Sequence, residues 1–131
     1  MALRHMSKKL PGELSTAKEI CASYKAPFDA TARVMQIMAQ RGLLKSEQGA
    51  HGGYQIVKNL SEVSFLQLME YILGPVNMAD CLYQDEHFCD LTATCNIISP
   101  VSRLNVRMKE FYKNLSLYDL VVKERTQEFY V

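Results

Sequence analysis

Three cysteines stand close together in the second half of the chain, in the pattern C-x7-C-x5-C. They are Cys81, Cys89 and Cys95, and the same acidic stretch also holds His87. Thiolates are the preferred ligands of iron–sulfur clusters and of soft metal ions, so the spacing predicts a cluster or metal site. Zinc held by the three thiols and His87 is an alternative, although zinc-finger ligand pairs usually lie roughly two to four residues apart.

The remaining features of the sequence agree with thiol or metal chemistry inside the cell. No apolar run approaches the ~20 residues that cross a membrane, and the first residues lack the apolar stretch of a secretion signal. We therefore expect a cytoplasmic protein with no membrane partner, in which cysteines serve metal or redox chemistry rather than disulfides. The fourth cysteine, Cys21, falls on the apolar side of a predicted helix, and we expect it in the core.

Residue patterns typical of catalysis are missing from the sequence. We find no serine, histidine and aspartate arrangement suited to nucleophilic attack and no glycine loop that would bind phosphate. The adjacent carboxylates Asp85 and Glu86 have no obvious partner. We expect a protein that is not an enzyme.

The first half of the chain predicts a winged helix-turn-helix. Thr16 and Glu19 form a capping box that opens a helix to about Tyr24. A second helix is predicted from Asp29, as its N-cap, to Arg41, with Gly42 as its stop. Strands are predicted at 43–46 and 53–57 with a glycine-bearing tip between them, and such a hairpin after two helices is the winged variant. Residues 1–58 hold nine basic and four acidic residues, a net charge of +5, which favours binding to a polyanion.

The second half predicts two helices on either side of the cysteine loop. Ser64 and Gln67 form a capping box for a helix that stops at Gly74, and Pro100 is predicted at the first position of a long helix. An apolar seam with three- and four-residue spacing predicts a dimer helix, with burial against its own domain as the alternative. The seam consists of Val101, Leu104, Met108, Phe111 and Leu115.

Together these elements predict a mainly α fold with a small β-hairpin, a winged helix-turn-helix followed by a long C-terminal dimerisation helix. The predicted organisation is a DNA-binding domain at 1–74, a cysteine-bearing sensor loop at 75–98, and the dimerisation helix with a tail at 99–131.

Three stretches of this sequence resemble the Rrf2 family of bacterial transcription regulators, whose members include IscR and NsrR. The first is Ala2-Leu3-Arg4, and the second runs from Gly42-Leu43-Leu44-Lys45-Ser46 through Gly49 to Gly52-Gly53-Tyr54. The third is the three-cysteine loop followed by a long helix and Leu117-Tyr118-Asp119-Leu120. The resemblance covers nearly the whole chain.

This resemblance implies a homodimer that crosses through the long helix and binds a palindromic operator in double-stranded DNA. It also implies a 2Fe–2S or 4Fe–4S cluster on Cys81, Cys89 and Cys95, whose loss or damage shifts DNA affinity. The residues implied to lie at DNA are in the second helix and the wing: Phe28, Asp29, Thr31, Ala32, Arg33, Gln36, Gln48, Gly49, His51, Gly52, Gly53 and Tyr54.

The chain departs from the family pattern at three places. Gln48 stands where the family often has an arginine that enters the minor groove, and Ile98 stands where IscR has a histidine ligand. NsrR takes a carboxylate ligand from just before the Ala-Leu-Arg match, where this chain begins, so such a ligand is expected upstream of Met1. The local candidates for a fourth ligand are His87 and its acidic neighbours.

The function predicted is that of a regulator, most simply a repressor, that senses iron, iron–sulfur, nitric oxide or redox status through its cluster. Three alternatives remain at this point. The cysteines could form a cluster-free thiol switch, the protein could be a zinc-binding adaptor for other proteins, or it could be an iron–sulfur carrier or oxidoreductase without DNA contact.

Overall fold

The computed structural model describes residues 1–83 and 89–123 of the chain. These ranges contain six α-helices and one antiparallel hairpin, in the order expected for the predicted architecture. They are α1 (Ala2–Ser7), α2 (Ala17–Tyr24), α3 (Phe28–Gln40), β1 (Leu44–Glu47), β2 (Gly53–Ile56), α4 (Phe65–Leu73), α5 (Ile98–Asn114) and α6 (Leu117–Val121), with a 3₁₀ turn at Asp80–Leu82.

Helices α2 and α3 form the helix-turn-helix. The predicted capping box of α2 is confirmed, because the Thr16 hydroxyl accepts from the Glu19 N–H at 3.1 Å and the Glu19 carboxylate accepts from the Thr16 N–H at 3.4 Å. The prediction of Asp29 as the N-cap of α3 is wrong. Pro27 is the N-cap, since its extended backbone turns the chain and its carbonyl accepts from the Thr31 N–H at 3.1 Å.

The end of α3 sets the position of the hairpin. Gly42 adopts φ +75° and donates to the Ala39 carbonyl, while the Leu43 N–H donates to the Met38 carbonyl, so the helix ends in a Schellman motif. The Leu43 N–H is therefore used by the helix end, while its carbonyl accepts from the Val57 N–H at 3.1 Å. Strand β1 runs from 44 to 47 rather than from the predicted 43 to 46. Strand β2 ends at Ile56, one residue earlier than predicted.

Helix α5 begins two residues earlier than predicted, so Pro100 is at its third position rather than its first. A proline at this position removes no hydrogen bond of the helix, because the N–H groups of the first helical turn have no acceptor within the helix. Leu115 lies beyond the helix as its C-cap, with extended backbone.

The core lies between the helix-turn-helix and the segments that precede α4 and follow α5. Met35 and Met38 of α3 are fully buried, as predicted for this methionine stripe. Leu117 of α6 is also fully buried in the same cluster, and its N–H donates to the Val63 carbonyl at 2.8 Å. Cys21 is only half-buried, so its expected place in the core is wrong: it lies beside Ile20, which takes the buried position on α2.

None of the helices within residues 1–83 and 89–123 is long and apolar enough to span a membrane.

Candidate DNA interface and cysteine loop

The outer face of α3 carries most of the side chains predicted to meet DNA. Phe28, Asp29, Arg33 and Gln36 are all exposed, and Arg33 and Gln36 lie three residues apart on one side of the helix. Thr31 is half-buried, and its hydroxyl donates to the Pro27 carbonyl at 2.8 Å. This face therefore offers a guanidinium, an amide, a carboxylate and an aromatic ring to solvent.

Ala32 lies on the half-buried side of α3 and packs against the core, so its predicted DNA contact would be made from the edge of the helix. Three exposed lysines near this helix were absent from the predicted set, although the positive charge of the first half of the sequence pointed to them. They are Lys18 on α2, Lys25 in the turn and Lys45 on β1.

The wing is a short hairpin whose tip depends on glycine. In the register, Leu44 faces Ile56 and Glu47 faces Gly53. A Cβ at Gly52 would overlap the Glu47 carbonyl oxygen, and Gly49 adopts φ +115°, so both positions require glycine. This tight turn leaves Gln48 and His51 exposed at its tip, where they were expected.

The wing is fastened to the start of the helix-turn-helix. Tyr54 of β2 and Ser15, the residue before the α2 cap, exchange two backbone hydrogen bonds of 2.8 and 2.9 Å. A Cβ at Gly53 would lie 2.9 Å from the Ser15 carbonyl oxygen, so the close approach of these segments needs glycine there. The hairpin and α2 therefore keep a fixed relative position.

A charged cluster joins α1 to α2. The Glu19 carboxylate contacts the Lys9 ammonium at 2.7 Å and the His5 Nε2 at 2.9 Å. The hydrogen bond from Lys9 and then that from His5 lower the pKa of Glu19 to about 2, against the opposing effect of burial. The cluster stabilises the ionised carboxylate and so fixes α1 against the helix-turn-helix.

The predicted cysteine loop holds three free thiols in different surroundings. Cys81 lies in the 3₁₀ turn and is half-buried, Cys95 is half-buried, and Cys89 is exposed. The Cys89 carbonyl accepts from the Thr92 N–H at 3.0 Å and from its hydroxyl at 2.6 Å, which closes a turn after this cysteine. The other predicted ligand, His87, lies outside the described residues.

The residues in the described ranges contain no group of three or more histidine, cysteine or acidic side chains close enough to hold one metal ion. The three cysteines have the thiol chemistry that a cluster requires. Within those ranges, however, the fold of the single chain does not bring three such ligands together.

The long helix α5 exposes part of the predicted apolar seam. The side chains of Leu104 and Phe111 are 52% and 65% exposed, whereas Val101 and Met108 are half-buried. The opposite side of α5 packs on α4, where the Phe65 and Tyr112 rings meet edge to face at 5.4 Å between centroids. A helix that is apolar both toward its own domain and toward solvent offers a surface for association.

Asn105, near the middle of α5, was not singled out by the sequence and is one of the two buried polar residues in the part of the chain that the structure describes. Its Oδ1 accepts from the Met78 N–H at 2.9 Å, and its Nδ2 donates to the Asn77 Oδ1 at 3.0 Å. It therefore joins α5 to the beginning of the cysteine loop.

Comparison with known proteins gives a family match over nearly the whole chain. The model of the Rrf2 family, described as iron-dependent transcriptional regulators, matches residues 1–123. The HTH-type transcriptional regulator NsrR of Shouchella clausii is 18% identical over 112 residues, covering 86% of this chain and 75% of NsrR.

Solved structures give the same architecture. CymR, the global cysteine regulator of B. subtilis, is similar with a TM-score of 0.70 at 19% identity, over 95% of this chain and 90% of CymR. IscR of T. potens is similar with a TM-score of 0.63 at 15% identity, over 98% of this chain and 88% of IscR. At these identities the similarity concerns the fold, which confirms the winged helix-turn-helix with a long C-terminal helix.

Proposed function

Since the chain belongs to the Rrf2 family and is therefore a DNA-binding transcription regulator rather than an enzyme, we propose that the state of its three loop cysteines sets its affinity for an operator. The observation that carries this proposal is the hydrogen bonding between the cysteine loop and α5, since the chain after α5 enters the core that supports α2 and α3. A change at the thiols can then bias the DNA-binding half.

In this proposal α3 enters the major groove and the wing lies beside it. Arg33 and Gln36 project from one exposed face, and their side chains can pair bidentately with guanine and adenine respectively. Asp29 accepts from a cytosine amine, and Phe28, Thr31 and Ala32 give apolar contacts near the helix start. The wing adds Gln48 and His51 at the phosphates, with Gly49, Gly52, Gly53 and Tyr54 holding the tip in shape.

The proposed regulator acts as a homodimer on a palindromic operator. Leu104 and Phe111 on α5 would bury their exposed surface against the same helix of a second copy, and Val101 and Met108 flank them. Leu115, which follows the helix as its C-cap, would lie at the edge of this contact. Two copies related by a twofold axis place two α3 helices on half-sites about one DNA turn apart.

Cys81, Cys89 and Cys95 would hold the proposed cluster, since three free thiols are a donor set suited to iron and sulfide. When bound, a 2Fe–2S or 4Fe–4S cluster supplies a centre that reacts with oxidants or nitric oxide. The chain's own part is to bring the three thiols together, which requires the segment between Cys81 and Cys95 to close around the group. We propose His87 or an acidic neighbour as a fourth ligand.

A second candidate is a cluster-free thiol switch, and two observations favour it. The described residues do not gather three ligands, and Cys89 is exposed to oxidants. Two thiols and one peroxide molecule would give one disulfide and two water molecules. The similarity in fold to CymR, a cysteine regulator, agrees with this candidate.

Anaerobic purification distinguishes these candidates. Protein from iron-replete cells is analysed by its visible spectrum and by iron, sulfide and zinc assays, for the native chain and for the Cys89→Ser and Cys21→Ser variants. A cluster gives brown protein with iron and sulfide, lost in Cys89→Ser and kept in Cys21→Ser. Colourless protein whose operator affinity responds to peroxide points to the thiol switch, and stoichiometric zinc without sulfide contradicts both.

A further inference from the structure

Two hydrogen bonds from one buried amide fix the start of the cysteine loop to α5. The side chain of Asn105 is 8% exposed, and it is 27 and 28 residues away in sequence from Met78 and Asn77, to which it is bonded. A buried amide must keep its partners, because leaving its donor or acceptor unpaired is costly. Residues 77–78 therefore stay attached to the middle of α5 unless both hydrogen bonds of Asn105 break.

The same segment closes on itself around Cys81. The Asn77 N–H donates to the Tyr83 hydroxyl at 3.3 Å, and the Tyr83 N–H donates to the Asp80 carbonyl at 3.1 Å. Cys81 is the middle residue of the 3₁₀ turn inside this closed loop. The backbone around Cys81 is thus held in a small loop that is closed through the Tyr83 side chain and fixed at one end by Asn105.

We infer that Asn105 is a positioning residue that fixes the start of the closed loop around Cys81 to α5 and transmits a change at this cysteine to the helix. Drawing the Cys81 thiol toward Cys89 and Cys95 pulls on the closed loop, and the strain acts on the two hydrogen bonds of Asn105. The role in sensing rests on the proposed function, whereas the positioning of Cys81 does not.

The connection continues from α5 into the DNA-binding half. Just past the helix, the Leu115 carbonyl accepts from the Phe65 N–H at 2.7 Å. Leu117 then enters the core that also contains Ile20 of α2 and Met35 of α3. A shift of α5 would therefore act on the packing beneath the helix-turn-helix.

The test uses the full chain with three substitutions. Asn105→Leu removes both hydrogen bonds at similar side-chain volume. Asn77→Ala removes only the side-chain acceptor of the second hydrogen bond, and it replaces Asn105→Leu in the test if that variant folds poorly. Asn114→Leu, at an exposed asparagine of the same helix, is the matched control.

The first measurement is the rate at which iodoacetamide alkylates Cys81 in reduced, cluster-free protein, mapped by peptide mass spectrometry with Cys21 as the internal reference. The expected result is a rise of about fivefold or more in Asn105→Leu and a smaller rise in Asn77→Ala, because the loop opens more often once its hydrogen bonds are lost. Asn114→Leu should match the native protein. A native rate at Cys81 in both loop variants overturns the inference.

The second measurement is the ratio of operator Kd values between the reduced cluster-free form and the cluster-loaded or oxidised form. The native chain should give a ratio of about tenfold or more, and Asn105→Leu should bring it close to one while operator binding itself is retained. An unchanged ratio in Asn105→Leu contradicts the transmission. A ratio of one in the native chain instead contradicts the proposed function, and the alkylation rates still decide whether Asn105 positions Cys81.

Discussion

Ser15 and Tyr54 pair through two backbone hydrogen bonds of 2.9 and 2.8 Å, so the wing is joined to the residue that precedes the first helix of the helix-turn-helix. The wing and the helix-turn-helix therefore keep one fixed arrangement. This pairing depends on Gly53, whose missing side chain allows the two segments to approach.

Gly53→Ala should separate the wing from the helix-turn-helix. The added Cβ would lie 2.9 Å from the Ser15 carbonyl oxygen and 3.1 Å from the Leu14 Cβ, so one segment must shift. We expect a loss of about 1–3 kcal/mol in the free energy of unfolding, together with weaker operator binding. Denaturant titration and fluorescence anisotropy measure the two effects. Ala50→Ser, at an exposed position of the tip, should change neither; equal behaviour of the two variants would refute the requirement for glycine.

Glu19→Gln should remove a contribution to stability that depends on pH. The folded-state pKa of Glu19 is about 2, below its ordinary 4.5, so the ionised carboxylate stabilises the fold above about pH 4.5 and this contribution is lost as pH falls toward 2. Because the Glu19 side chain is 38% exposed, we expect less than about 1 kcal/mol.

Thermal unfolding of native protein and Glu19→Gln at several pH values measures this contribution. The difference in Tm should be steady from about pH 7 to 5 and should shrink below about 4.5. Glu13→Gln, at an exposed glutamate outside the Lys9 and His5 contacts, is the control. A difference that grows on acidification would contradict the role given to Glu19.

Arg33→Ala should weaken operator binding and relax its sequence preference if the guanidinium pairs with a base. The expected loss of discrimination is ~1–3 kcal/mol at one base pair. Titrations of all single-base variants of the operator, at two or more salt concentrations, test this. A uniform loss on every sequence with a salt slope smaller by about one would instead place Arg33 at a phosphate. Lys123→Ala removes an exposed charge beyond α6 and should leave the preference unchanged.

Leu104→Asp should produce a monomer. The aspartate would place a charge in the apolar contact proposed for Leu104 and Phe111, where it has no partner. Light scattering at micromolar concentration should give a dimer for the native chain and a monomer for the variant. Leu10→Asp is the control, since Leu10 is 71% exposed but lies outside α5. A native chain that is monomeric under these conditions would rule out the seam.

The local signals of the sequence predicted most of the fold. The capping boxes at Thr16 and Ser64 placed the starts of α2 and α4 correctly, because such caps are formed by residues within one turn. The prediction placed the N-cap of α3 at Asp29, but the N-cap is Pro27, two residues earlier, where the backbone is still extended. Strand β1 begins one residue later than predicted because the Leu43 N–H donates to the end of α3, and β2 ends one residue earlier than predicted.

The site was less predictable than the fold. The exposed face of α3 follows from helical periodicity, and the three cysteines are visible as residue types. Asn105 carried no signal, because its partners lie 27 and 28 residues away and only the folded chain brings them to α5. The surroundings of Cys81 are likewise a product of tertiary contacts.

The measurement that tests the central claim most directly is operator binding by anaerobic protein in two states. A genomic-fragment selection with cluster-loaded and cluster-free native protein identifies the best site, and titrations on that site then compare both states with Cys89→Ser. We predict Kd values that differ by about tenfold or more between the two states of the native protein, and a single value for Cys89→Ser equal to that of the cluster-free form. Equal Kd values for both native states, with or without peroxide, would contradict the claim that these cysteines control DNA binding.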